Sequence, residues 1–165
     1  MSATVQAAVQ AALAAEQRAR FGYGVLGPQL GASAVGLARG AQSDHEQLIA
    51  DTTAALSTAG AQPDPPAADY PDVYPVASPA DAMRLAVRLE QDAARAWRFA
   101  YAAAASASST ATGGGSSSSK ALSGDPFARA VRPLAQRALT GSAVRATQWR
   151  LQAQLRPATE PFPGI

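Results

Sequence analysis

The chain has no cysteine, so disulfides, thiol nucleophiles and thiolate metal sites are excluded. It has no asparagine and therefore no N-linked glycosylation acceptor. One histidine stands alone, which rules out a multi-histidine metal site within one chain. Aromatics are sparse, at 6%, and β-branched residues are few. What fills the 165 residues instead is alanine, 42 of them, and this composition favours helices over a sheet-built core. The length suits one domain that buries a core without disulfides.

No signal peptide is evident at the N-terminus. Residues 21–38 carry no charge but include five glycines and a proline, too little hydrophobicity for a membrane span. The expectation is a cytoplasmic protein with no membrane contact. The net charge of +2 is unevenly spread: Met1–Ser119 has seven basic and ten acidic residues, Lys120–Ile165 seven and two. The later arginines are scattered around their helix rather than forming one stripe. They are expected to pack against the acidic remainder, and no nucleic-acid partner is expected.

Apolar periodicity predicts four helices, at about 3–30, 33–59, 79–107 and 126–155, in a single domain spanning 1–165. Gly31 reads as a C-cap followed by Ser33 as an N-cap, and Gly60 ends the second helix. Ser78-Pro79 and Asp125-Pro126 read as N-cap and first-turn pairs. Residues 61–77 hold five prolines and cannot be helical, so they form a long crossover. Residues 106–119 read as a flexible Gly/Ser loop, and 156–165 as a Pro-rich tail folding back through Phe162. The fold class expected is all-α: a ferritin-like antiparallel four-helix bundle with the long crossover between helices 2 and 3.

Glu16, His45, Glu90 and Arg145 fall among apolar positions on their helices, at matching heights, so they form one buried polar layer. Isolated buried charges are costly, so these groups must pair or bind something. A di-iron site needs Glu-x-x-His on the second and fourth helices. Here Glu46 points about 100° away from His45, and helix four offers Arg145 and Gln148, which do not suit a divalent metal. In one reading, Arg145 neutralises Glu16 and Glu90 in place of metal. A second makes Glu16, His45 and Glu90 a mononuclear iron or manganese site. A third uses the layer to bind a small ligand or to catalyse, with Tyr23, Trp97, Tyr101, Gln148 and Trp149 lining a pocket. The first leaves no cofactor and no catalytic residue, with a homodimer, a protein or a small molecule as possible partner.

Three further patterns are set aside. Gly22, Gly24 and Gly27 spell GxGxxG, but a helix precedes them where a Rossmann fingerprint needs a strand; close helix packing explains them better. Lys120 follows glycines and serines without the Gly-Lys-Ser/Thr of a phosphate loop. Asp64, Asp69 and Asp72 lie in a Pro-rich loop without the glycine turn geometry of a cation site.

The sequence resembles the actinobacterial ferritin-like domain family of unknown function. The matching stretches are Ala14-Ala15-Glu16, Tyr23 to Gly27, Leu85 to Glu90, Ala96-Trp97-Arg98, Ala143 to Arg150 and Pro161 to Gly164. The likeness covers nearly the whole chain and implies a ferritin-like fold without an established activity. The ligand set missing from helix four argues against ferroxidase chemistry.

Overall fold

The computed structural model describes residues 1–109 and 125–159. Among these the secondary structure is helical throughout, without strands, in an arrangement consistent with a four-helix bundle. The helices are α1 (Ala3–Leu26), α2 (Ala32–Thr58), α3 (Pro79–Ser109) and α4 (Pro126–Gln152).

Helix ends follow local chemistry. The α1 helix stops at Leu26, short of the expected Leu30, and Gly27–Gln29 tightens into a 3₁₀ turn. Pro28 has no N–H for the α-helical ladder and so disfavours its continuation. Gly31, in extended conformation, caps α2, so Ser33 lies inside the helix rather than capping it. Gly60, at φ 77°, ends α2 in a left-handed turn: its N–H donates to the Ser57 carbonyl and Ala61 N–H to Leu56. Ser78 accepts from Asp81 N–H at 3.1 Å and opens α3. Asp125 accepts from Phe127 N–H at 3.0 Å and opens α4. The α3 helix reaches Ser109, two residues past its expected end at 107, and so takes in the start of the expected 106–119 loop; the rest of that stretch lies outside the described residues. The α4 helix stops at Gln152 instead of Leu155, because Gln154 turns left-handed (φ 54°) and Leu155 N–H folds back onto the Arg150 carbonyl. Pro133 lies within α4, which continues through it. The expectation for Phe162 lies outside the described residues.

Pairing across the core gives the directions. Glu16 meets Trp97 and Tyr23 meets Glu90, so α1 and α3 run antiparallel. Glu90 meets Arg145 and Tyr101 meets Arg132, so α3 and α4 do too. With α1 and α2 joined by a short turn, α2 and α3 point the same way, and residues 59–78 must span the length between them. They do so beside α1: Gln10 donates to Gln62, Gln17 to Asp64, Arg18 pairs with Asp72, and Phe21 packs on Tyr70 and Tyr74.

About half of the buried hydrophobic residues are alanine, which lets helices approach closely. Gly22 belongs to the same device: a Cβ there would come within 2.5 Å of Leu89 Cδ1. The core falls into two clusters. One holds Val5, Val9, Leu13, Leu56, Trp97 and Phe127, the other Tyr23, Leu26, Leu85, Leu89 and Trp149. Glu16, His45, Glu90 and Arg145 sit where their helices pass from one cluster to the other.

Candidate functional site

The α1 and α3 helices contribute matched pairs two turns apart. Glu16 and Tyr23 share one face of α1, and Glu90 and Trp97 share one face of α3. Because the helices are antiparallel, each carboxylate meets the other helix's aromatic donor. Trp97 Nε1 donates to Glu16 Oε1 at 2.6 Å, and Tyr23 Oη donates to Glu90 Oε1 at 2.6 Å. Trp149 of α4 completes the chain, its Nε1 donating to Tyr23 Oη at 2.7 Å.

His45 of α2 bridges the two carboxylates. Its Nδ1 lies 2.5 Å from Glu16 Oε2 and its Nε2 3.2 Å from Glu90 Oε1. Its ring stacks on Tyr23 at 5.4 Å. Arg145 of α4 closes the layer, with Nε donating to Glu90 Oε1 at 2.9 Å, one terminal nitrogen to Asp44 at 3.1 Å and the other to Ser142 at 3.2 Å. The sequence reading assigned Arg145 to both glutamates. It bonds only Glu90, while Glu16 is held by His45 and Trp97. Gly141, one turn before Arg145, clears its path: a Cβ there would lie 3.1 Å from the guanidinium. Glu90 Oε2, also buried, has no hydrogen-bond partner among the described residues.

Glu16, His45 and Glu90 are completely shielded from solvent, and Arg145 is 7% exposed. Burial alone would push the His45 pKa down. The hydrogen bonds and charges of Glu16 and Glu90 outweigh it and raise the value to about 9. Burial likewise works against the ionised Glu90, but His45 and then Arg145 hold its pKa below the usual carboxylate range. Tyr23 is raised well above its ordinary value by burial and by Glu90, so it stays a neutral donor. Arg145 keeps its proton, since Glu90 more than offsets the cost of burial. The Glu90 carboxylate thus faces both His45 and Arg145, while Glu16 shares His45 from the other side.

Both ring nitrogens of His45 are occupied by these carboxylates. No set of three or more His, Asp or Glu side chains among the described residues is arranged to hold a metal ion. A ligand role for His45 would require breaking its contacts with Glu16 and Glu90.

The expected polar layer thus comes together from all four helices, but two proposed pocket residues do not join it. Tyr101 is partly exposed at the α3–α4 seam beneath Arg132, 5.8 Å from its guanidinium carbon. Gln148 is exposed, lining a cavity of about 560 Å³ on the outer side of α3 and α4. Tyr23, Trp97 and Trp149 are buried hydrogen-bond donors to the layer rather than walls of a cavity. Sequence reasoning missed Ser142 and the pairing of Asp44 with Arg145; Ser142 lies three residues before Arg145, a spacing that puts it on the same face. Glu46 turns outward to Arg20, as its 100° offset requires. Asp72 of the crossover pairs with Arg18. Arg137 pairs with Asp51 at 2.5 Å, so two arginines of α4 do meet acidic residues of α2.

The model of a family described as a domain of unknown function, DUF4439, matches residues 8–115. The chain belongs to this family. In this DUF4439 chain the matched span contains Glu16, His45 and Glu90, while Arg145 lies beyond it. A conserved hypothetical protein, rv2844, from Mycobacterium tuberculosis has a similar crystal structure. It is 31% identical, with a TM-score of 0.72, covering 92% of this chain and 99% of that one. No curated protein matches the DUF4439 chain. No helix among the described residues is long and apolar enough to cross a membrane.

Proposed function

We propose that this chain is a ferritin-like bundle in which the Glu16–His45–Glu90–Arg145 layer takes the place of a metal centre. It works, on this reading, as a structural or interaction module without a cofactor and without catalytic turnover. The observation that carries the proposal is the donor geometry: both ring nitrogens of His45 face carboxylates, and Arg145 Nε occupies Glu90 Oε1. A guanidinium in that position supplies the positive charge a metal would otherwise bring, and it cannot be displaced by deprotonation.

The test is metal retention. Purified, untagged protein is incubated separately with iron, manganese and zinc, desalted and measured by mass spectrometry. The proposal expects no metal above background. Near-stoichiometric metal on the unaltered chain overturns it and returns the Glu16–His45–Glu90 set to the position of a ligand site.

A further inference from the structure

The α4 helix carries five arginines and no acidic residue. Arg137 and Arg145 have carboxylate partners on α2 and α3, and Arg150 donates to the Pro157 carbonyl. Arg129 and Arg132 have no carboxylate partner among the described residues, and both are exposed. They are three residues apart, so they share one face of α4, and their like charges repel. Together with Tyr101, Pro133 and Gln136 they line a surface cavity of about 280 Å³ at the α3–α4 seam, with no acidic residue among the described residues of its lining. Arg132 rests over the Tyr101 ring, which restrains its guanidinium at no cost in hydrogen-bond donors.

We propose that this cavity is a binding site for the phosphate group of a small molecule. Each guanidinium presents a planar fork of N–H donors that matches phosphate oxygens. A dianion between Arg129 and Arg132 replaces their mutual repulsion with two charge-assisted contacts, and the Gln136 amide supplies a further donor at the rim. The site is independent of the buried layer, so either proposal can fail alone.

The experiment titrates the full chain with inorganic pyrophosphate, and in a second arm with AMP, at constant ionic strength, following arginine Nε–H signals by NMR. The proposal expects saturable shifts at Arg129 and Arg132, with Arg88 of α3 unmoved. It also expects Arg129→Gln and Arg132→Gln each to weaken binding about tenfold or more, while Arg88→Gln leaves it unchanged. Binding in both arms supports a phosphate site, and the tighter arm identifies a free oxyanion or a monoester as its source. Non-saturating shifts spread equally over Arg39, Arg88, Arg129 and Arg132, or equal loss in Arg88→Gln, overturn it. All three substituted side chains are exposed, so the variants are expected to fold, and melting curves verify it.

Discussion

Arg145→Met is the most informative perturbation, because it removes the charge while keeping a long apolar stem in the space beside Gly141. In the unaltered protein Glu90 Oε1 accepts from Tyr23, His45 and Arg145. The substitution removes one cation from a sealed layer that holds two carboxylates, and Asp44 and Ser142 lose a donor as well. Breaking a buried pair from one side costs about 3–5 kcal/mol. For a chain of this size that lowers the melting temperature by roughly 10 °C. Urea unfolding gives the free energy directly. The loss is greatest near neutral pH. The depressed pKa of Glu90 contributes stability above its unfolded value, and this fades as pH falls through the folded one. The gap between the two proteins therefore narrows in acid. Adding Glu90→Gln to Arg145→Met removes the uncompensated charge and is expected to restore part of the loss. A change below about 1 kcal/mol in Arg145→Met at pH 7 would refute the reasoning, since that is the scale of a solvated surface pair.

Tyr23→Phe leaves the Trp149 indole N–H without its acceptor and takes one donor from Glu90, and is expected to cost about 1–3 kcal/mol in urea unfolding. Gly22→Ala forces Leu89, which is fully buried, to move, and is expected to destabilise by about 1–3 kcal/mol. Gly24→Ala, with open space at its Cβ, is expected to stabilise by about 0.5–1 kcal/mol; melting curves of the pair separate packing from propensity. The raised His45 pKa stabilises the fold fully below 6.5, and this contribution is lost as pH rises through about 9. The urea midpoint is therefore expected to fall across that window by the equivalent of roughly 3 kcal/mol, and His45→Gln to abolish the slope.

The polar layer was legible because burial is periodic. Glu16, His45, Glu90 and Arg145 share their helices' apolar stripes, and no solvated face explains them. Its pairing was not legible. Which carboxylate takes which cation depends on side-chain rotamers and on the small clearance at Gly141, neither of which a helical wheel contains. Gln148 was misplaced for a simple reason: it precedes Trp149, so about 100° separates them, and Trp149 is the buried one. Tyr101 follows Trp97 by four residues, and the 40° drift carries it to the α3–α4 seam. Helix ends erred where turn chemistry overrode periodicity. Pro28 and Gln154 stopped helices whose apolar patterns ran on to Leu30 and Leu155.

The central claim is that internal cations, not a metal, balance the buried glutamates. The protonation state of His45 tests it most directly. As the only histidine, its ring nitrogens can be read without assignment ambiguity in a ¹⁵N-labelled sample. The account predicts an imidazolium with both nitrogens protonated at pH 7, losing one proton near pH 9. A neutral ring with one bare nitrogen at pH 7 would contradict it, leaving Glu16 and Glu90 under-compensated and His45 free to bind a metal.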